Sequence, residues 1–475
     1  MGSTVAQTSS YTRDPNSELT TAMTDPLGRQ FRYGYDSFQR SNYLSQAMTL
    51  TNANPLSVTC SNCLAQSITT SMTYDPTFNQ LTSVTDALNH TWSIGYDSRG
   101  NATSITDPLT HKVTLGYNFM GQLTSVTDAA SDTAQFTYSY GDLAQITDPL
   151  GNVTKRFTDN AGRPISVADA LGNLTQFSYD NLDRLTQIID ANGKTTALSY
   201  DPDGNLLSLT DALTNKTSYG YDSRNRVTSR NDALLTADSY SYDATGNLAS
   251  HTDRDGNVIN YTYDALNRPT QAQHNIAKGH GTQLQSTVTY TWDAGNRVTQ
   301  GIDSIAGSAT RQYNGLDRLT QEATPQGTVN YTYDNAGRRT TMQVVGQPQV
   351  AYTWDNTNRL TAISQGSSSV GLSYDNANRR TCLTLPNGVL ASYGYDKDSR
   401  VTSLVYGTGG SCSSPPNNLG SLTYSYDADG RRTATAGSLA AVTLPANVTG
   451  TTNYNADNEQ STLTAPALAM TPTAI

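Results

Sequence analysis

Long apolar runs are missing from this sequence. No stretch approaches the roughly 18 apolar residues of a membrane-spanning helix, and the first twenty residues, MGSTVAQTSSYTRDPNSELT, contain no signal-peptide core. Neither a membrane span nor a targeting segment is expected. That leaves a cytoplasmic protein, one exported by another route, or one cut off from its natural N-terminus. Apolar residues make up only 36% of the 475, and that share includes 29 tyrosines, so a thick two-sided core is not expected. Basic residues number 30 against 40 acidic, a net charge of −10, and they are spread evenly. Nucleic acid is excluded as a partner because a phosphate footprint needs a basic patch.

Cysteine is scarce as well. Cys60, Cys63, Cys382 and Cys412 are too few to read as the disulfide framework of a small secreted scaffold. Cys60-Ser61-Asn62-Cys63 has the spacing of a zinc or redox pair. No second pair follows it, so an incidental or local role is the reading.

Catalytic signatures are absent too. The five histidines, His90, His111, His251, His274 and His280, form no His-Glu-x-x-His motif, and neither Gly-x-Ser-x-Gly nor a phosphate-binding glycine loop occurs. His274 and His280 are read as sharing a solvated loop. Paired carboxylates such as Asp201 with Asp203, or Asp253 with Asp255, lie in no apolar run that would tune them for acid–base work. No catalytic, cofactor-binding or metal-ligating residue is assigned, and no enzyme activity or cofactor is expected. The triplets Asn152-Val153-Thr154 and Asn173-Leu174-Thr175 look like glycosylation acceptors, but they arise wherever a Gly-Asn turn precedes a Thr-rich strand.

What the chain does have is a period. Asp86, Asp107, Asp128, Asp148, Asp169, Asp190, Asp211, Asp232 and Asp253 recur every 21 residues with a single step of 20. Tyr96, Tyr117, Tyr138, Thr158, Tyr179, Tyr200, Tyr221, Tyr242 and Tyr263 follow them at fixed distance, with only Thr158 out of type. The marks resume at Trp292, Tyr313, Tyr333, Trp354, Tyr374 and Tyr395, then Tyr426 and Tyr454. Such a period means one small unit copied along the chain.

One unit converts into local structure directly. Asp148-Pro149-Leu150-Gly151 places Asp, Pro and Gly where a type I turn wants them. Leu174–Tyr179 alternates with period two, putting Phe177 and Tyr179 on one face. Asp180–Arg184 forms a second turn, and Leu185–Ile189 returns. Each unit is a β-hairpin, and hairpins joined by tight turns make a long antiparallel meander. About 38 strands of five or six residues would lie side by side over roughly 180 Å. Sheets that wide coil, so the fold class is all-β, a curved shell or spiral wall. The tyrosines are expected to pack this wall and the aspartates to cap turns through backbone hydrogens. The calcium-binding nonapeptide pattern is absent.

The marks divide the chain into a partial repeat at 1–24, a first full repeat at 25–40 and an insertion at 41–68 that carries the Cys-x-x-Cys. Regular repeats run over 69–268, an insertion over 269–284, repeats over 285–406, an insertion over 407–418 and degenerate repeats over 419–460. A tail at 461–475 closes the sequence. Opening in mid-unit suggests a truncated N-terminus. The ending Ala469-Met470-Thr471-Pro472-Thr473-Ala474-Ile475, read in a shifted frame, can encode Tyr-Asp-Ala-Asn-Gly-Asn, the expected next repeat, so a frameshift is hypothesised there.

The runs Tyr179-Asp180-Asn181-Leu182-Asp183-Arg184, Tyr263-Asp264-Ala265-Leu266-Asn267-Arg268 and Tyr333-Asp334-Asn335-Ala336-Gly337-Arg338 resemble the YD-repeat, or Rhs (rearrangement hotspot), family over nearly the whole chain. The resemblance implies a β-cocoon in which a spiral strip surrounds a cavity. In full-length bacterial and insecticidal relatives that cavity encloses a C-terminal polymorphic toxin, handled by secretion or delivery proteins at or beyond the cell surface; teneurins carry related shells. Toxin-bearing members also carry a self-cleaving segment after the repeats, which nothing here matches. The expected role is therefore a structural shell segment, open-rimmed and prone to edge-to-edge self-association. The alternative is a surface glycan- or cell-wall-binding repeat protein, against which stand only three tryptophans.

Overall fold

The computed structural model describes residues 8–15, 19–35, 55–61, 68–233, 237–275, 286–412, 417–440, 450–454 and 460–464. Cys63, His280 and residues 469–475 lie outside the described residues. Among those described there is no helix, and 40 strands, numbered β1 to β40 in chain order, form one sheet. Each strand pairs antiparallel with its predecessor and successor, from β1 (Ser10–Arg13) and β2 (Thr20–Thr24) to β39 (Gly450–Tyr454) and β40 (Gln460–Thr464). Among the described residues β1 pairs with β2 alone and β40 with β39 alone, so the sheet is open.

The predicted strands fall where the alternation put them, with β15 at Leu174–Tyr179 and β16 at Leu185–Ile189. Along β15 the exposed Leu174, Gln176 and Ser178 alternate with the half-buried Thr175, Phe177 and Tyr179. Phe177 pairs across to Ile188, and Leu198 to Leu209, so apolar pairs run along one face. The wall is one layer thick: Ala272, Leu390 and Ala391 are the buried apolar residues among those described. Two insertions hold strands. β4 (Pro55–Ser61) lies between β3 (Gln30–Tyr35) and β5 (Ile68–Tyr74), and pairs with both. His274 sits inside β24 (Pro269–Asn275), paired to Ile259, which corrects its reading as a loop residue: the ladder with the preceding strand continues through Asn275, past the expected boundary.

Two kinds of turn alternate along the strip. Aspartate turns such as Asp148–Asn152 line one edge of the sheet, and Tyr-Asp turns such as Asp180–Arg184 line the other. Both share one geometry. The Gly151 amide donates to the Asp148 carbonyl at 3.0 Å and the Asp148 amide to Asn152 at 3.0 Å, a type I turn closed by a residue with positive φ, +89° at Gly151.

Every Tyr-Asp hairpin also carries a register shift at its aromatic mark. Tyr179 pairs with Leu185 but Ser178 with Gln187, leaving Thr186 extra. The same slip recurs at Tyr96, Tyr200, Trp292 and Tyr395. A bulge adds right-handed twist to its strand pair, and one per hairpin bends the strip steadily in one sense.

The strip therefore meets itself. The turn after β2 packs Leu27 on Gly295, in the turn after β25 (Ser286–Trp292). The turn after β10 (Leu123–Thr127) puts Asp132 3.9 Å from Arg379, after β33 (Ser368–Tyr374). The turn after β12 (Asp142–Thr147) faces Asp398, after β35 (Val389–Tyr395). The turn after β14 (Pro164–Ala168) reaches Asp429, after β37 (Asn417–Tyr426). Each of these contacts spans 23 strands, so one winding is 23 strands, roughly 110 Å around and about 35 Å across at 4.8 Å per strand.

Candidate functional site

Two constructions repeat along this wall: a ladder of arginine and aromatic side chains on the Tyr-Asp edge, and the seam where that edge meets the aspartate edge of another winding.

The ladder is built where the sixth residue of a Tyr-Asp run is arginine; Asn101, Asn205 and Asn247 hold that place in other runs. Arg184 Nε donates to Asp180 Oδ2 at 2.7 Å, while the Leu182 and Arg184 amides donate to Asp180 Oδ1. Its Nη1 reaches the next unit's Asp201 carbonyl at 2.8 Å, and its guanidinium lies 4.8 Å from the centre of the Tyr200 ring. Tyr200 in turn donates its hydroxyl to the Leu185 carbonyl at 2.8 Å. Arg226 with Tyr242, Arg297 with Tyr313, Arg359 with Tyr374 and Arg379 with Tyr395 repeat the stack. Trp292 and Trp354 replace the hydroxyl with an indole N–H, donated to the Pro269 and Arg339 carbonyls. At the exceptional Thr158 the shorter hydroxyl donates to Asp142 Oδ2 instead. The aromatic row is thus fixed by its own polar ends, and the aspartates accept turn amides, as their positions suggested.

Electrostatics follow from that bonding. The side chain of Arg226, donating to Asp222, is the main cause that holds the Asp222 carboxyl down at about 2, with turn amides adding to it. Asp159, with Arg163 beside it, is lowered for the same reason.

At the seam, Ala170 N donates to Asp429 Oδ1 at 2.8 Å, across 259 residues of chain. Arg29 Nη1 donates to the Gly315 carbonyl at 3.1 Å and pairs with Asp317 at 2.7 Å. Asp148 and Asp398 face each other carboxyl to carboxyl, as do Asp169 and Asp429. Neither pair was visible from spacing within a unit, because the partners lie 23 strands apart. The alternation of two turn types on opposite edges was the only sequence signal for such contacts.

The residues considered for chemistry are dispersed. His90 and His111 occupy the last position of aspartate turns, with Nδ1 at 3.0 and 2.9 Å from Asp86 and Asp107. His251 stacks on Tyr240 at 4.8 Å, in a cluster with Asp238, Arg230 and Arg254. Asp201 and Asp253 accept hydrogens from Asn205 and Asn257 in their own turns. Asn152 and Asn173 donate side-chain amides to Asp148 and Asp169. Cys60 falls in β4. Among the described residues no group of three or more His, Cys, Asp and Glu side chains is placed to hold a metal ion. Cys382 and Cys412, to which the sequence assigned no partner, form a disulfide with Cα atoms 5.7 Å apart. After β36 ends at Thr408 the 409–412 segment turns back toward the preceding strands, and Cys412 Sγ approaches the Ala391 carbonyl at 3.6 Å.

A one-layer repeat wall, coiled and stapled edge to edge, defines a structural shell protein. Models of the RHS repeat match at 74–112, 96–133, 120–153, 159–195, 200–236 and 242–279, and the teneurin YD-shell model matches at 307–413. The chain belongs to the YD-repeat, or Rhs, family. Among solved structures it is similar to TcdB2-TccC3, with a TM-score of 0.56 at 14% identity over 95% of this chain and 32% of that one. It is also similar to TcdB2-TccC3-Cdc42, with a TM-score of 0.55 at 13% identity, over 95% and 34%. These share the fold, and this chain spans about a third of their length. No curated protein sequence matches it.

Proposed function

We propose that this chain is a stretch of wall from a larger exported shell, one that encloses a C-terminal toxic segment and passes it to a delivery partner. The observation that carries this reading is the 23-strand winding, whose edges interlock around a lumen instead of packing over a core. A lumen about 35 Å across between backbones leaves room for a polypeptide. The proposed role is non-enzymatic; the repeats supply containment, and any chemistry belongs to the contents. Expressed by itself, this stretch pairs β1 and β40 on one side each among the described residues and is expected to associate edge to edge, which a monodisperse monomer on sizing would contradict.

The test is protease protection. The complete reading frame, including whatever the flanking DNA encodes, is expressed and digested natively. The segment after the repeats is expected to survive until the shell is denatured. Equal cleavage before and after denaturation overturns containment, and specific retention on a glycan array by the repeats alone would favour surface carbohydrate binding instead.

A further inference from the structure

The seam contains more carboxylate than its cations neutralise. Between the windings lies a cavity of about 330 Å³, lined by Asp148, Asn152, Ala170, Asp398, Arg400 and Asp429 among others. The Asp148 turn contributes that carboxyl and the neutral Asn152. The Asp398 turn contributes Asp396 and Arg400, whose Nε is held by Asp396 at 2.7 Å while Nη2 lies 3.4 Å from Asp398 Oδ2. From the Asp169 turn come Asp169 and the neutral Asn173. The turn holding Asp429 brings Asp427 and Arg431, whose Nε donates to Asp427 at 2.7 Å and Nη2 to Asp429 at 3.0 Å. Six carboxyl groups thus meet two guanidiniums, each already engaged by an aspartate of its own turn.

The side chains of Asp398 and Asp429 are only 14% and 9% exposed. Asp398 Oδ1 is buried without a donor from any ordinary donor group. A carboxyl in that position is satisfied by a proton shared with Asp148 and left unsatisfied without it. We propose that the pairs Asp148 with Asp398 and Asp169 with Asp429 make the seam a pH-set latch, closed while each pair holds one proton and loosened once both members ionise.

The directions agree. Burial, then the neighbouring Asp148, pushes Asp398 up to about 6; burial, then Asp169, pushes Asp429 up. Asp148 and Asp169 are lowered, their burial outweighed by donors that begin with Asn152 and Asn173. A raised carboxyl stabilises the closed seam below its open-state value and loses that contribution as pH rises through about 6. A lowered carboxyl loses its contribution as pH falls through its closed-state value. The seam is therefore tightest in mild acid and weakens toward neutrality.

Amide hydrogen exchange on the full chain reads the latch. After correction for intrinsic exchange, the Ala170 amide and the 396–400 and 427–431 turns are expected to open on the order of tenfold more at pH 7.5 than at pH 5. Asp398→Asn with Asp429→Asn keeps a donor at each pair without the charge and is expected to abolish that difference. Asp203→Asn, on an exposed turn, is expected to preserve it. If the double variant misfolds, either single variant should halve the response by flattening its own turn alone. Equal opening at both pH values in the unaltered chain, or an unchanged pH response in the Asn variants, overturns the proposal.

Discussion

The guanidinium of Arg184 lies over the ring of Tyr200, 4.8 Å from its centre, although the two belong to different repeats. Arg184, like Arg226 and Arg297, therefore closes its own turn and clamps the aromatic of the next unit. In a wall with almost no buried apolar side chains, such inter-unit contacts carry the coupling between neighbours.

Tyr200→Phe removes only the hydroxyl that donates to the Leu185 carbonyl. It is expected to cost about 1 kcal/mol, seen as a lower urea midpoint and faster exchange over Leu185–Ile189. Arg184→Ala should cost more, about 1.5–3 kcal/mol for charge-assisted hydrogen bonds. Arg184→Lys should recover little, since an ammonium cannot fork between Asp180 and the Asp201 carbonyl while lying on the ring. Full recovery by lysine would show that charge alone matters.

Thr110 and Thr214 hold the positive-φ place of their turns at 70°, a conformation that β-branched residues resist. Asn89 adopts 66° at the same place. Thr110→Asn and Thr214→Asn are expected to raise stability by about 0.5–1 kcal/mol each, read as higher melting temperatures. Conversely, Gly151→Ala meets no atom within 4 Å, so its expected loss of about 1 kcal/mol is purely conformational. A neutral result would mean the turn relaxes.

Acid should act on the turns. Asp222 is held at about 2, chiefly by the Arg226 side chain, and Asp159 is lowered by Arg163. Groups whose folded values are depressed give stability that is present above about 4 and is lost as pH falls through the folded value. Sheet circular dichroism is therefore expected to hold near pH 4 and decay toward pH 2. Asp222→Asn should blunt the loss in its own hairpin, followed by exchange. Decay that is complete by pH 4 would contradict the assignment.

The Cys382–Cys412 bridge closes 30 residues of chain across β35 and β36 (Val401–Thr408). Reduction, or Cys412→Ser, is expected to release the 409–412 segment and destabilise this part of the wall by about 3.6 kcal/mol in the loop-entropy account. Non-reducing peptide mapping should recover the two cysteines in one cross-linked fragment. Recovery as separate free thiols would refute the pairing.

Much of the fold was legible because the unit is short and its chemistry local. Strands β15 and β16 end where alternation and turn residues said, and Asp148-Pro149-Leu150-Gly151 forms the turn its residues dictate. What escaped notice depends on neighbours. The extra Thr186 satisfies both alternation and turn, so nothing in the row of letters marks it as a bulge. The Cys382–Cys412 pairing needs the 409–412 segment to turn back across two strands, which composition does not disclose. Asp398 reads like any turn aspartate, and only the winding brings Asp148 opposite it. Sequence alone places the aspartates in turns and the tyrosines in the wall; the arginine that binds one to the other, as Arg184 does between Asp180 and Tyr200, shows itself only in the fold.

The return of the strip after 23 strands has an architectural corollary. Because 23 is odd, an aspartate turn always arrives opposite a Tyr-Asp turn, and like edges never confront each other. Girth is thus a matter of counting: no point substitution resizes the barrel of the shell. Deleting one whole hairpin, however, would bring Asp148 opposite a turn other than that of Asp398 and re-phase every later rung. Any gain or loss of units thus re-threads the joints of the entire spiral, which makes the repeat number itself a dimension of the shell.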